Sequence, residues 1–174
     1  DIYEGGHRIP LIVSWKGKFS NETNNSLVSL TDFYATFAQM VNHKLKDEEA
    51  VDSYSIWPIL SKQGASNRKD LVYESGYLSL RTPQLKLVFN GGSGGWGYPN
   101  KPADLAQLPP MQLFNLKEDP SEKENIIHDK CYEQEVKEMT QLIRKYVKEG
   151  RSTPGAEVAN DTENDWKQVN IFMQ

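Results

Sequence analysis

Few side chains in this chain are able to do chemistry. The three histidines, His7, His43 and His128, lie far apart, and no His-Glu-x-x-His pair puts two of them on one helical face. The single cysteine, Cys131, makes neither an internal disulfide nor a cysteine-based zinc site. Ser66-Asn67-Arg68-Lys69 has S-x-x-K spacing but lacks any companion motif, so it reads as a chance match. The loop Gly91-Gly92-Ser93-Gly94-Gly95-Trp96-Gly97-Tyr98-Pro99 lacks the Gly-Lys-Ser/Thr ending and following helix of a phosphate cradle. The acidic run 118–124 has no oxygen-ligand spacing and reads as a solvated turn. More is offered by the adjacent pair His7-Arg8. An imidazole can donate or accept a hydrogen bond. A guanidinium presents a fixed fork of donors suited to a carboxylate or sulfate.

These residues must be positioned by the elements around them. Residues 9–15, Ile-Pro-Leu-Ile-Val-Ser-Trp, form an apolar run between Gly5-Gly6 and Gly17, the pattern of a fully buried strand. Asn- and Ser-rich residues 20–26 read as a loop. The spacing of Leu30, Phe33, Phe37, Ala38 and Val41 then predicts a helix ending near Asn42, with Ser29 or Thr31 as its cap and Asp32 in its first turn. Trp57-Pro58 should start a helical turn. Short strands are expected at 71–74, 77–81, 85–89 and 111–115, with Gly76 and Thr82-Pro83 as punctuation and links short enough for antiparallel pairing. Tyr132, Val136, Met139, Ile143, Tyr146 and Val147 step by three and four, giving a helix over 130–149 with Gly150 at its C-cap. That helix should lay its stripe on one face of the sheet. Residues 151–174 show little periodicity and read as an extended tail.

A chain of 174 residues, 37% hydrophobic and 25% charged, suits one soluble domain, or a small domain plus part of another. Its net charge of -4, and a longest basic cluster of only Asn67-Arg68-Lys69, exclude recruitment of nucleic acid or anionic lipid. No apolar run approaches the roughly 20 residues of a membrane helix. The opening residues, Asp1-Ile2-Tyr3-Glu4-Gly5-Gly6, read like the middle of a longer precursor, so targeting signals cannot be judged from this chain. Three N-glycosylation patterns, at Asn21, Asn24 and Asn160, read as chance sequons in polar loops.

Four segments, in order, resemble the sulfatase family, whose fold is related to alkaline phosphatase. Tyr3-Glu4-Gly5-Gly6-His7-Arg8-Ile9-Pro10-Leu11-Ile12-Val13 looks like the family's Y-E-G-G-x-R-x-P-hydrophobic segment. Leu30-Thr31-Asp32-Phe33-Tyr34-Ala35-Thr36-Phe37 resembles the helix start that follows it. Leu113-Phe114-Asn115-Leu116-Lys117-Glu118-Asp119-Pro120-Ser121-Glu122-Lys123-Glu124-Asn125 is similar to the L-Y-D-L-x-x-D-P-x-E-x-x-N turn. Arg151-Ser152-Thr153-Pro154-Gly155, with Asn160-Asp161 beyond it, is similar to a tail found in bacterial members.

The resemblance implies an α+β chain. Residues 1–69 would be the last strand and helix of the large α/β domain. Residues 70–149 would be the C-terminal subdomain, an antiparallel sheet of about four strands packed by one long helix, and 150–174 a tail. It implies a parent that hydrolyses sulfate esters, of a sulfated small molecule or glycan, and that is periplasmic or secreted. In the family a formylglycine, made from Cys or Ser in C/S-x-P-x-R, works beside a divalent cation, expected to be calcium. Both belong to the N-terminal catalytic domain, the partner this chain would need, and the family's sulfate-contacting Lys would lie before Asp1. Cys131 is followed by Tyr132-Glu133, and Ser152-Thr153-Pro154-Gly155-Ala156 has Ala where Arg is required. No catalytic residue, metal ligand or cofactor is therefore expected in the chain itself, which should be inactive alone. The substrate-binding candidates are His7, in the variable position of its segment, Arg8, and Trp96, whose flat face suits a sugar ring. Each has a structural alternative: local backbone contacts for His7, an ion pair for Arg8 and Glu4, packing on its own domain for Trp96. A related phosphodiesterase or phosphonate hydrolase, and a non-catalytic carbohydrate-binding module, are the rival readings.

Overall fold

A computed structural model describes residues 1–159 and 166–173; the pattern at Asn160 lies outside them. The elements run α1 (Glu4–His7), α2 (Asp32–Met40), α3 (Trp57–Leu60), β1 (Leu71–Glu74), β2 (Leu78–Arg81), β3 (Leu85–Val88), α4 (Pro102–Leu105), β4 (Gln112–Asn115), α5 (Glu133–Glu149) and α6 (Asn170–Met173). One-turn 3-10 helices occupy Lys130–Tyr132 and Lys167–Val169. The chain folds as two compact units, each discontinuous in sequence. One contains Asp1–Pro10, Val72–Lys145 and the C-terminal helical turns. The other contains Leu11–Leu71 and the segment from Tyr146.

The first unit is built on a four-stranded sheet in the order β1-β2-β3-β4. The β2/β3 and β3/β4 pairs are antiparallel, as the short links predict. Gly76 makes the first link possible. Its φ is +69°, and a Cβ there would sit 2.6 Å from the Gly94 carbonyl oxygen. The second link is closed by Thr82, whose backbone N–H donates to Leu85 O (2.8 Å) while its hydroxyl accepts from Leu85 N–H (2.9 Å).

Side chains alternate across a strand, so the register assigns each to a face. Arg81, Lys86 and Phe114 fall in one row, with Ser79, Val88 and Gln112 in another on that same face; Leu80, Leu87 and Leu113 point the opposite way. Lys86, Leu87 and Val88 are all buried, so β3 is covered on both sides. On the Lys86 face, Ile2, Val88, Phe114 and Leu116 form a core flanked by Tyr3 and Tyr73. The N-terminal segment therefore lies over that face of the sheet. Helix α5 buries Met139 and Ile143 from its predicted stripe.

Residues 166–173 are not extended. They form two helical turns, and Phe172 is buried with its ring 4.6 Å from that of Phe89. One large aromatic side chain suffices to anchor a segment that has no periodicity to betray it.

The stretch from Gly5 to Asn42 departs further from the sequence pattern. Residues 9–15 form no strand, and Ile9, Leu11, Ile12, Val13 and Trp15 are exposed. A strand exists only as part of a ladder, and among the described residues nothing pairs with this run. Gly5 and Gly6, which bound the run on its N-terminal side, belong to α1.

Helix α2 has the expected ends, with Val41 as its C-cap and Asn42 in the left-handed region at φ +55°. Its cap differs: Thr31 makes no side-chain capping bond, and Asp32 Oδ2 accepts from Ser29 N–H (2.9 Å). Its buried face is also rotated from the predicted one, sharing with it the buried Ala38 and the half-buried Phe33. Asp32, Ala35, Thr36 and Ala38 are buried, while Leu30, Tyr34, Phe37 (57% exposed) and Val41 (73%) point out.

Polar anchors explain the rotation. The guanidinium of Arg68 grips the Asp32 carboxylate with Nε to Oδ2 at 2.9 Å and NH2 to Oδ1 at 2.5 Å. It also donates to the carbonyls of Asp52 and Asp70, and Tyr54 lies 4.8 Å away with its ring against it. Thr36 donates to Asp32 O and accepts from Ile56 N–H. Together these contacts turn the small-residue side of the helix inward.

After α5, Gly150 at φ +66° ends the helix, with Arg151 N–H donating to Tyr146 O (3.2 Å). The buried guanidinium of Arg151 then donates to the carbonyls of Thr153, Pro154 and Ala156. The Ser-x-Pro segment at 152–154 is thus part of the wall of an arginine socket.

Candidate functional site

The face of the sheet under the N-terminal segment holds the structure's largest concentration of buried charge. Lys86 is 0% exposed, and its Nζ lies 2.5 Å from Glu122 Oε1 and 3.6 Å from Glu4 Oε1. The Lys86–Glu122 contact is an ion pair whose angles fall outside hydrogen-bonding geometry. Arg81, next to Lys86 in the register, donates to both Glu4 oxygens (3.1 and 3.2 Å). Glu122 Oε2 in turn accepts from the backbone N–H of Glu4 at 2.5 Å. Two carboxylates and two cations thus close a circuit among α1, β2, β3 and the turn after β4. Charges out of water persist only when paired in this way.

The circuit moves the acidities within it. Burial pushes the Lys86 ammonium below its ordinary value, against the pull of Glu122 and Glu4. Burial would raise Glu4, but the hydrogen bonds and charge of Arg81, with Lys86 behind them, outweigh it and hold Glu4 below the usual range. Tyr73, whose ring lies 5.3 Å from Lys86 Nζ, is pushed far up by burial and by Glu4.

His7 sits on top of this circuit, its ring 4.2 Å from the ring of Tyr73. Burial, and then the positive charge of Lys86, lower its pKa, so the imidazole is neutral at pH 7. Its Nε2 atom is shielded from solvent and has no hydrogen-bond partner among the described residues. Arg8 follows with an exposed side chain, and its N–H donates to Glu4 O (2.7 Å). Arg8 makes no ion pair among the described residues; Glu4, by contrast, is structural as expected.

Trp96 is 97% exposed and its ring packs on nothing. Its loop is tied to the same N-terminal segment. Ile2 N–H donates to Ser93 O (2.7 Å), and Gly97 N–H to Asp1 Oδ1 (2.9 Å). Ser93 OH donates to Gly97 O (2.6 Å) and Asn100 Nδ2 to Trp96 O (2.7 Å). The structure therefore joins His7 and Arg8 on one turn and anchors the Trp96 loop to that segment, with no direct contact between the Trp96 ring and the other two.

The acidic run 118–124 is not wholly solvated. Asp119 Oδ2 accepts from Lys123 and Glu124 N–H, as a turn requires. Asn125 Oδ1 accepts from Leu113 N–H. Glu122, however, has a side chain only 2% exposed, and its φ of +53° is one that non-glycine residues adopt rarely. Sequence reasoning missed Glu122, Lys86 and Arg81 as partners of Glu4. The one available signal was a lysine inside an otherwise apolar strand, Leu85-Lys86-Leu87-Val88.

Among the described residues no three His, Cys, Asp or Glu side chains gather to hold a metal ion. Cys131 is exposed, and its thiol is raised by the Asp129 carboxylate, which disfavours the nucleophilic thiolate. No helix is long and apolar enough to cross a membrane.

No family model matches the chain. Similar proteins are nevertheless found. An N-acetylgalactosamine-6-O-sulfatase of Bacteroides thetaiotaomicron is 29% identical over 143 residues, 81% of this chain and 27% of that protein. Arylsulfatase A of Homo sapiens is 28% identical over 138 residues, 72% of this chain and 27% of that protein. A solved structure from Bacteroides thetaiotaomicron, of a protein in the metabolism of multiple glycosaminoglycans, shares the fold with a TM-score of 0.50. It is 24% identical, and the match covers 66% of this chain and 24% of that one. The chain thus spans about a quarter of the length of the curated relatives it matches. Its four-stranded antiparallel sheet with one long helix matches the sulfatase C-terminal subdomain, and the chain is similar in sequence to sulfatases over 72–81% of its length.

Proposed function

We propose that this chain is the C-terminal part of a sulfatase acting on a sulfated carbohydrate, to which it contributes scaffold and the rim of the substrate pocket. In that reading residues 1–69 complete the large α/β domain, 70–149 form the small subdomain and 150–174 follow as its tail. The observation that carries the reading is the turn of His7 and Arg8: a half-exposed imidazole held on a buried charge circuit, with an exposed guanidinium beside it. A half-exposed imidazole suits a sugar hydroxyl or a sulfate oxygen. The exposed Arg8 beside it brings a fork for an anionic oxygen, and the bare ring of Trp96 can stack on a pyranose. The relative from Bacteroides thetaiotaomicron, an N-acetylgalactosamine-6-O-sulfatase, supports a sulfated sugar as substrate class.

The reactive groups belong elsewhere in this reading. Formylglycine, as nucleophile, and calcium, stabilising charge on oxygen, would be held by the N-terminal catalytic domain, and this chain alone is inactive. The parent is periplasmic or secreted. The exposed apolar face of α2 supports the need for a covering partner of that kind.

Two measurements test the reading. The reading frame upstream of Asp1 should encode a C/S-x-P-x-R segment; its absence sinks the sulfatase assignment. In the protein so extended, His7→Ala and Trp96→Ala should raise KM for a sulfated sugar. Unchanged kinetics in both would remove these residues from the pocket. The exposed pair Trp96 and Tyr98 is what favours a second reading, a carbohydrate-binding module. Micromolar affinity of the isolated chain for sugars would select it, and none is expected.

A further inference from the structure

We infer that Glu122, 118 residues beyond the segment's Glu4, is the positioning residue of the His7-Arg8 turn, acting as the latch that holds it on the sheet. The inference rests on the proposed role of His7 but has its own test. Two sequence motifs that look independent meet at one carboxylate. Its Oε2 accepts the Glu4 N–H at the first residue of α1, and its Oε1 faces the Lys86 ammonium at 2.5 Å.

The geometry favours a latch over a passive surface acid. Helix α1 has only four residues, too short to hold itself together. Its N-cap, Tyr3, supplies no side-chain capping bond. A carboxylate at the first N–H of a helical turn replaces that missing cap and complements the turn's dipole. Glu122 reaches the position only because its own backbone adopts a left-handed φ of +53°, while Asp119 pins the turn around it through Lys123 and Glu124 N–H. Through Glu4 the latch extends to Arg81, and through Lys86 to Tyr73, the ring on which His7 rests.

The groups that face His7 are Glu4 on its own turn, Lys86 on β3, Tyr73 on β1 and the amino group of Asp1. If Glu122 releases the turn, His7 leaves Lys86 and Tyr73 together, and its burial with them.

The experiment is NMR of the 174-residue chain, following the His7 ring through a pH titration and through its nuclear Overhauser contacts with the Tyr73 ring. In Glu122→Ala the His7–Tyr73 contacts should vanish, and the His7 pKa should rise toward the ordinary value of about 6.5. In Glu122→Gln, which keeps an oxygen acceptor for the Glu4 N–H, the contacts should persist. In Glu122→Asp, which keeps the charge but shortens the reach, they should weaken. Glu118→Ala, on the exposed part of the same turn, should change nothing.

A residue that only stabilises the fold would lower the melting temperature and leave the His7 signals of the folded state where they were; that outcome overturns the inference. If Glu122→Ala does not fold, the order of Gln and Asp decides, and contacts kept in Asp but lost in Gln refute a latch that works by reach. Failure of the substrate role appears elsewhere, as unchanged kinetics of His7→Gln in the extended protein, so the two ideas fail separately.

Discussion

Replacing Lys86 with Met should cost this domain a large part of its stability. The side chain is 0% exposed, with Glu122 Oε1 at 2.5 Å and Glu4 Oε1 at 3.6 Å. Methionine fills much of the same volume, so the loss is electrostatic and not a cavity. Glu4 keeps both hydrogen bonds from Arg81, whereas Glu122 keeps only the Glu4 N–H. One buried carboxylate is therefore orphaned, not two. Breaking a buried pair in this way costs about 3–5 kcal/mol, against a total of about 5–15 kcal/mol for a typical domain. The unfolded fraction should rise by roughly two to three and a half orders of magnitude, at 1.4 kcal/mol per factor of ten. Amide hydrogen exchange at Leu87 and Leu113 reads the stability of this sheet. Adding Glu122→Gln to Lys86→Met removes the orphaned charge, so the double variant should be more stable than Lys86→Met alone. A loss below about 1 kcal/mol for Lys86→Met, or a double variant weaker than the single, would refute the reasoning.

Three further outcomes follow from the same physics. Asp32→Ala leaves the buried guanidinium of Arg68 without its carboxylate and should cost about 3–5 kcal/mol, read by exchange at the α2 amides; a loss within 0.5 kcal/mol, the range of ordinary surface changes, contradicts the assigned anchor. Phe37→Glu, on the exposed apolar face of α2, should reduce self-association in sedimentation without loss of helicity, and unchanged association means another surface is responsible. Glu4 has a folded pKa below its ordinary 4.5, so its contribution is present above about pH 4.5 and lost as pH falls through the lower folded value. His7, also lowered, adds a loss that begins as pH drops below about 6.5. Stability measured by urea titration should fall more steeply from pH 7 toward acid in the wild type than in Glu4→Gln or His7→Gln, a comparison that cancels the opposite contribution of Asp70, raised by burial; equal slopes would refute both assignments.

The sheet and the long helix were legible because local pattern and tertiary demand agree there. Short apolar segments, Gly76 at a left-handed turn and the stripe through Met139 and Ile143 all point to one answer. Residues 9–15 and α2 were misread for a common reason. Apolar content says that a surface wants covering, not that this chain supplies the cover, so the run stays unpaired and the face of Phe37 and Val41 stays bare. The candidate residues His7, Arg8 and Trp96 come from residue type and motif, but the buried charges beneath the His7 turn are non-local: Glu122 lies 118 residues from Glu4, and no spacing rule connects them. Arg68, inside the S-x-x-K stretch read as a chance match, and Arg151, singled out only as the first residue of the tail segment, prove to be buried anchors, because an arginine's partners are set by the fold and not by its neighbours in sequence.

The most direct test is to incubate the purified 174-residue chain with calcium and either an aryl sulfate or 6-sulfated N-acetylgalactosamine, and to measure released sulfate. With its nucleophile and metal site assigned to another domain, the chain should release no more sulfate than buffer does. Turnover at enzymatic rates, abolished by His7→Ala, would mean that these residues carry the chemistry themselves and would contradict the account.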